Sequence, residues 1–365
     1  MKFTCIKENL EKALSIAERF TGKNINLPIL GNILLEVNEN TLHLTATNLE
    51  YAVQISLSGK GLRNGKLSVP AKIFSSLVQS IKEDKIDLEE KQNNLLIKTD
   101  TRDTRINGTR TDDFPLLPKV KKSFSFFIEE GLLKRGLEKV LPASAISEFK
   151  PELNGVFFRV SSGKLYLAAT DTFRLAEFVC PLSKKTENEN FSFILPQRIA
   201  QEVSRILAED EEIKITFGEN QTLFEIGEIK IISRLIEGNF PEYTNIIPKD
   251  FSTSTFLKKD ELINAIRSAS IFASKIQDIT FNISKNNFEV NSSNPEIGEH
   301  KIKLQAATTG KDVKISFNYR YLLDGLTVSD EEEVFFGCNL ENSPSLVRGK
   351  SETTFLYVIM PIRLT

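Results

Sequence analysis

Phe3-Thr-Cys-Ile-Lys-Glu-Asn-Leu-Glu-Lys-Ala-Leu14, Phe127-Ile-Glu-Glu-Gly-Leu-Leu-Lys-Arg-Gly-Leu137 and Phe256-Leu-Lys-Lys-Asp-Glu-Leu-Ile-Asn-Ala-Ile266 are three versions of one pattern. In each, a short apolar strand end runs into a helix. Leu10, Leu133 and Leu262 hold matching places, 123 and 129 residues apart, and Leu14, Leu137 and Ile266 follow four residues later. Residues four apart share a helix face, so each segment is predicted to bury one side. A second motif recurs as Val69-Pro70-Ala-Lys72, Leu195-Pro196-Gln-Arg198 and Phe317-Asn318-Tyr-Arg320. There an apolar strand end meets a helix whose first turn carries a basic residue, and proline suits such a start. Alternating strands ending at Thr47, Thr170 and Ser293 lie 123 residues apart twice, and Phe114-Pro115 corresponds to Phe240-Pro241. One order of motifs at one interval predicts three copies of a domain, spanning 1–122, 123–250 and 251–365. The interval is far too long for a solenoid. The expected fold class is α+β, each copy holding two helices packed on antiparallel sheets.

Composition removes several function classes. The 365 residues include 47 Lys+Arg and 49 Asp+Glu, so the chain is neither a strongly basic nucleic-acid binder nor an acidic tail protein. Twenty-six Phe spread along the chain point to folded cores. The longest apolar run, eight residues from Phe355 to Ile362, falls short of the roughly 20 a membrane span needs. No signal-like segment follows Met1, and a cytoplasmic, membrane-free protein is expected. Only His43 and His300 are present, neither at a metal-ligand spacing, so no metal and no cofactor is expected. Cys5, Cys180 and Cys338 read as reduced, buried thiols. Gly59-Lys60-Gly61 and Gly65-Lys66 have the wrong spacing for a phosphate loop and read as a polar hairpin. Asp100, Asp103, Asp112 and Asp113 stand among Arg102, Arg105 and Arg110. Paired carboxylates could serve hydrolysis, while a strand over Leu95–Ile106 with ion-paired charges in solvent is the simpler reading. No catalytic residue is assigned.

Five motifs together carry a resemblance: Leu27-Pro-Ile-Leu-Gly-Asn32, Leu153-Asn-Gly155, Ala169-Thr-Asp-Thr-Phe-Arg-Leu175, Phe240-Pro-Glu-Tyr243 and Tyr357-Val-Ile-Met-Pro-Ile-Arg-Leu364. Over its whole length the chain resembles the bacterial DNA polymerase III beta subunit, the replicative sliding-clamp family. The resemblance implies a non-enzymatic processivity factor, a head-to-tail homodimer closing as a ring around duplex DNA without sequence preference. Its helices would line the hole, and seven basic helix positions fit that role: Lys72, Lys134, Arg135, Arg198, Arg205, Arg267 and Arg320. Lys23, Asn24 and Lys150 in loops are the remaining DNA candidates. Arg198 and Arg205, seven apart, share a face that Ile199, Val203 and Ile206 do not; Lys12 and Arg19 repeat the spacing. Ordinary solvated helix faces would produce the same pattern.

The resemblance also implies a groove between the second and third copies that takes short peptides. The implied partners are the replicative polymerase catalytic subunit, the clamp loader, repair polymerases and other proteins with clamp-binding motifs. The matching positions are Leu153, Thr170, Thr172, Phe173, Arg174, Leu175, Pro241, Asn245, Ile246, Val358, Met360, Pro361, Ile362, Arg363 and Leu364. Apolar residues with a methionine make an adaptable floor, and Arg174 and Arg363 are expected to bond the peptide. Val358, Met360 and Ile362 alternate as any half-buried strand would. Thr172-Phe173 replaces the Gly-His common in the family, which reshapes the groove. Lys150-Pro151-Glu152 stands where aromatics are common, so base stacking by that loop is not expected. A scaffold with no DNA in its hole and a carboxylate hydrolase remain the alternatives.

Overall fold

The computed structural model describes residues 1–117, 120, 124–147, 149–184, 190–208, 211–285 and 287–363. Among them are six α-helices: α1 (Lys7–Arg19), α2 (Ala71–Gln79), α3 (Glu130–Val140), α4 (Gln197–Ile206), α5 (Lys259–Ser270) and α6 (Tyr319–Thr327). They fall two to each repeat. Leu10, Leu14, Leu133, Leu137, Leu262 and Ile266 are all buried, so the four-residue spacing marks the core face of α1, α3 and α5. Pro70 and Pro196 end strands Gly65–Pro70 and Asn190–Pro196 just ahead of α2 and α4, so each precedes its helix. At the third start Asn318 takes the cap itself, its side chain accepting from the Arg320 backbone N–H.

Strand register corrects one alignment. Phe3 is fully buried and faces Leu88 across its sheet; the equivalent buried positions are Phe126, facing Ile215, and Thr255, facing Phe336. Phe127 and Phe256, aligned with Phe3 from the sequence, are only half-buried. Side chains alternate along a strand, so a one-residue slip moves them to the other face. In the second repeat the adjacent Phe126 and Phe127 disguised it, and in the third Phe256 stands beside the buried Thr255.

The chain divides into two compact units. One comprises Met1–Glu130 with Ile206–Leu235, the other Gly131–Arg205 with Ile236–Thr365. The middle repeat therefore contributes to both. In the first unit an eight-stranded antiparallel sheet brings Ile229–Arg234 of the second repeat against Tyr51–Ser58 of the first. In the second unit a nine-stranded sheet brings Phe355–Ile359 of the third repeat against Arg174–Pro181 of the second. The registers agree: Ala52 faces Ile232 and Leu175 faces Val358, while the same two residues pair on their other side with Thr47 and Thr170. Each unit holds one further sheet. Asp103–Asn107 is an edge of the five-stranded sheet in the first unit, and Gly298–Leu304 an edge of the four-stranded sheet in the second.

Two local readings change. Lys60–Arg63 pairs with Lys2–Ile6, whereas Gly65–Pro70 pairs with Asn32–Asn38, so the glycine-rich stretch links two sheets and forms no hairpin. A Cβ on Gly61 would stand 1.5 Å from the Glu39 carbonyl oxygen, which makes glycine obligatory at that close approach. Leu95–Ile106 is not one strand: Asn94–Lys98 and Asp103–Asn107 form a hairpin closed by Thr99 N–H donating to the Arg102 carbonyl at 3.0 Å. Lys98 and Asp103 pair at 3.0 Å on its exposed face, and Asp100, Asp112 and Asp113 are exposed. The carboxylates are spread over two solvated turns and the strand between them.

Glu83 braces that hairpin, accepting from the Thr99 hydroxyl at 2.7 Å and from the Thr101 hydroxyl. The Thr101 and then the Thr99 hydrogen bond pull its carboxyl from 4.5 to about 2. Depression of the folded-state value means its stabilising effect is complete above pH 4.5 and fades as pH falls toward 2. In denaturant melts at stepped pH, wild type should therefore exceed Glu83→Gln at neutral pH. The two curves should converge near pH 2; a gap that stays constant would contradict the hydrogen-bond cause.

Candidate functional site

A largely apolar opening lies in the second unit, where the two repeats share their sheet. Leu175 and Val358 sit opposite each other in adjacent strands, and Met360 continues the line past the end of Phe355–Ile359. Around them Lys150, Thr170, Thr172, Arg174, Pro241, Tyr243, Ile246 and Pro344 complete a cleft of 410 Å³. Its floor rests on a buried cluster containing Leu153, Ala168, Ile194, Phe240, Phe335 and Leu346. A floor of packed strands with few polar atoms suits an apolar ligand segment, because burial there is rewarded without stranding hydrogen-bond donors.

One wall is the turn between strands Lys164–Thr170 and Arg174–Pro181. Thr172 has φ 79°, a left-handed conformation that β-branched residues rarely adopt. The two side chains before it hold the turn. The Thr170 hydroxyl accepts from Thr172 N–H at 3.2 Å, and Asp171 Oδ1 accepts from the N–H groups of Phe173 and Arg174 at 2.9 and 3.0 Å. Met360 N–H closes the wall on the Phe173 carbonyl at 2.8 Å.

Arg174 is more deeply engaged than its sequence position implies. Its Nε donates to Asp171 at 2.9 Å, its Nη1 to Asp324 and to the Tyr357 hydroxyl, and its guanidinium lies 4.3 Å from the Tyr321 ring centroid. Burial opposes the charge, but Tyr357, Asp324 and Asp171 outweigh it and raise the pKa further. Most of its donors therefore hold the cleft together. Phe173, 59% exposed, leans toward Tyr321 with ring centroids 6.5 Å apart.

Of the fifteen groove positions read from the sequence, Thr170, Thr172, Arg174, Leu175, Pro241, Ile246, Val358 and Met360 line this cleft, and Leu153 lies beneath it. Ile362 and Arg363 fall elsewhere: they line a second opening, of 420 Å³, with Lys314, Ile315, Ser316, Glu341 and Asn342. The cause is Ile362 N–H, which donates to the Ser316 carbonyl at 2.7 Å and turns the tail toward strand Val313–Asn318. Asn245 is exposed and Pro361 half-buried, both off the cleft lining. Leu364 lies outside the described residues. Sequence reasoning missed Tyr243 and Pro344; Tyr243 was within reach, since it stands two residues after Pro241 in a motif already singled out.

The candidate DNA contacts separate from this cleft with one exception. Lys72 on α2, Arg135 on α3, Arg198 and Arg205 on α4, Arg267 on α5 and Arg320 on α6 are exposed, as are Lys23 and Asn24; Lys134 is half-buried. On α4 Ile199 and Val203 are buried and Ile206 half-buried, leaving the two arginines on the wet face. Arg205 pairs with the buried Glu202 at 2.8 Å, and Lys12 pairs with Glu8 at 2.7 Å, so part of this charge is locally compensated. Lys150, read as a phosphate contact, is the exception: it rims the apolar cleft. Phe149 beside it is 94% exposed, so the loop does carry an open aromatic, one residue ahead of the position expected to lack one.

The thiols are chemically quiet. Burial, with help from Asp87, lifts Cys5 to about 12, and burial alone lifts Cys180 to about 12 and Cys338 to about 11. All three stay protonated and unreactive near neutrality. Among the described residues no group of three His, Cys, Asp or Glu could hold a metal ion, and no helix is long and apolar enough to cross a membrane.

Family comparison covers the whole chain. Residues 1–118, 127–242 and 244–363 match the N-terminal, central and C-terminal domains of the DNA polymerase III beta subunit. The beta sliding clamp of Staphylococcus epidermidis is 30% identical over 380 residues, covering 100% of this chain and 99% of its own length. That of a Synechocystis species is 28% identical, with 100% of both chains covered. Among solved structures, the beta subunit from Thermotoga maritima superposes with a TM-score of 0.94 at 26% identity. The sliding clamp from Pseudomonas aeruginosa bound to griselimycin does so with 0.96 at 29%, and both cover 100% of each chain. Three tandem clamp domains, matched one by one and end to end, place this chain in the bacterial DNA polymerase III beta subunit family, the beta sliding clamps, which are non-catalytic processivity factors of DNA replication.

Proposed function

We propose that two copies of this chain join head to tail as a closed ring around duplex DNA, and that the 410 Å³ cleft holds short peptides of replication partners. The observation carrying this reading is a pair of open strand edges. Ile232 and Val358 each pair with a leucine of the preceding strand, Leu223 and Leu346, and the equivalent pair in the first repeat is Arg105 with Leu96. Ala52 and Leu175 pair with Thr47 and Thr170, and the equivalent pair in the third repeat is Glu299 with Ser293. Asp103–Asn107 and Gly298–Leu304 are thus the first-repeat and third-repeat versions of the strands that pair at both internal junctions. Here they end as edges, which sheets do not leave open without reason. Joining two copies in the same register sets Glu299 opposite the partner's Arg105 and Lys301 opposite the partner's Asp103. Opposite charges face each other at both places. Two chains of three domains, bounded near 122 and 250, then complete a six-domain ring with two equal seams.

On this reading the exposed Lys72, Arg135, Arg198, Arg205, Arg267 and Arg320 face phosphates. A chain with net charge -2 supports a loose hold on DNA, since a ring retains its track by topology and strong phosphate neutralisation would hinder sliding. The replicative polymerase, the clamp loader and repair polymerases dock by apolar segments in the cleft, and the protein works in the cytoplasm.

The seam is tested by charge exchange. Arg105→Glu or Glu299→Arg alone should raise the dimer dissociation constant about three- to tenfold, and the two together should restore it, by analytical ultracentrifugation. Encirclement is tested on loaded circles. Arg198→Glu with Arg205→Glu should shorten residence on nicked circular DNA about tenfold at unchanged dimer mass, while linearising the DNA should release wild type. A Gln-Leu-x-Leu-Phe peptide should bind the cleft at micromolar concentration, and Met360→Asp should weaken it at least about tenfold by fluorescence anisotropy. Absence of wild-type binding at high micromolar peptide would remove the cleft assignment.

A further inference from the structure

The cleft wall that carries Pro241, Tyr243 and Ile246 has no regular secondary structure: residues 237–249 run as loop and turns between the last strand of the second repeat and the first strand of the third. Its ends are tied down. Ile236 N–H donates to the Ile194 carbonyl at 3.0 Å, and Asn339 Nδ2 donates to the Asp250 carbonyl at 2.9 Å. Between those ties, the segment reaches the sheet through the Tyr243 hydroxyl, which donates to Glu177 Oε2 at 2.5 Å and has Arg159 of strand Gly155–Ser161 as a second, charged neighbour. The segment's other internal bond, Ile246 N–H to the Tyr243 carbonyl at 2.9 Å, passes Tyr243's position on to Ile246.

Glu177 is an unusual residue to find there. It lies two positions beyond the cleft-floor residue Leu175 in strand Arg174–Pro181, on the same face, and is 9% exposed. Tyr243 is 4% exposed, with its ring edge-on to Phe240 at 5.9 Å and to Phe157 at 6.4 Å. Phe240 itself stacks on Phe157 at 4.7 Å. The aromatic contacts fix how deep the segment sits, but stacked rings slide with little resistance. A short bond from a phenol to a buried carboxylate fixes the remaining direction, and burial followed by the Glu177 charge raises the Tyr243 pKa so that the hydroxyl stays a donor.

We propose that Glu177 is a positioning residue for peptide capture: it holds the Tyr243 hydroxyl and thereby sets the wall formed by Pro241, Tyr243 and Ile246 against the Leu175–Val358 floor. This rests on reading the cleft as a peptide site. It adds that affinity depends on a buried carboxylate that no docked peptide touches. Preorganisation of a wall improves affinity by removing the ordering that binding would otherwise require.

The experiment measures two things on Glu177→Ala, Glu177→Gln, Tyr243→Phe and the Glu177→Ala/Tyr243→Phe pair, all as full-length dimers. The first is trypsin cleavage after the exposed Lys249 in native protein, which needs no ligand. Glu177→Ala should be cut at least about fivefold faster than wild type, with Glu177→Gln, which keeps an acceptor, close to wild type. The second is anisotropy with the Gln-Leu-x-Leu-Phe peptide. Glu177→Ala and Tyr243→Phe should each weaken binding about tenfold, Glu177→Gln less than about threefold, and the pair no more than either single change. Cleavage at the wild-type rate in Glu177→Ala, or losses that multiply in the double variant, would overturn the positioning role. Faster cleavage with no peptide bound by wild type would keep the tie and remove the peptide reading instead.

Discussion

A strand edge left without a partner is the constraint on which this molecule turns. Each backbone N–H and C=O along such an edge needs a bond, and a repeat of this kind ends in two edges that cannot satisfy each other within one copy. The chain meets the need by setting Tyr51–Ser58 against Ile229–Arg234 and Arg174–Pro181 against Phe355–Ile359, in one register both times. That is why its compact units do not coincide with its repeats. The middle repeat contributes strands to both units.

The same junction carries the cleft, and duplication explains how. In the first unit Asn48 Oδ1 accepts from Glu50 and Tyr51 N–H, the Thr47 hydroxyl accepts from Leu49 N–H, and Leu49 has φ 79°, as Thr172 does. Arg234 N–H donates to the Glu50 carbonyl where Met360 donates to that of Phe173. Backbone geometry is therefore common to both copies, and the difference lies in side chains. Where the first unit has the nearly buried Tyr51, the second has Arg174, bridging Asp171 and Asp324 while its guanidinium rests on Tyr321. An ion-paired arginine at a wall keeps the wall polar on its outer side and rigid on its inner one, and so leaves the apolar floor open.

How far the sequence was legible follows from range. Helix faces were readable because the spacing of Leu10 to Leu14 is set within one turn, and three copies confirmed one another. The Phe126 and Thr255 positions were not, since strand register depends on partners such as Ile215 and Phe336 far along the chain. The Leu95–Ile106 hairpin was hidden for another reason. Its turn is closed by Glu83, sixteen residues before Thr99, rather than by a glycine or proline that would have announced it. In the cleft, eight lining residues were legible through motif resemblance, which carries identity at a position but not the direction of a chain. The tail after Met360 could not be placed that way, because Ile362 turns to Ser316 through a backbone bond that no side chain advertises. Tyr243 and Glu177 were invisible as a pair: 66 residues separate them, and neither looks unusual until both are buried together.

The proposed tethering role asks two kinds of contact to differ in character, and the exposed helix charges and the apolar cleft do differ. Charges on helix faces are exposed, several already matched by neighbours such as Glu202 and Glu8, and water and salt screen what remains to about a kcal/mol or less per contact. Many weak, equivalent contacts favour no single position along a regular phosphate lattice, which is the condition for sliding. The cleft is the opposite: one small apolar site with polar bonds in its walls, and in a site of that kind a few anchoring side chains would supply most of the affinity for a docked peptide. On the proposed reading, a partner held there would be confined near its template, and its rebinding would become intramolecular, with an effective concentration set by the tether rather than by the cell. Modest affinity at the cleft is then sufficient for long residence of the assembly, and it leaves the site free to exchange one partner for another.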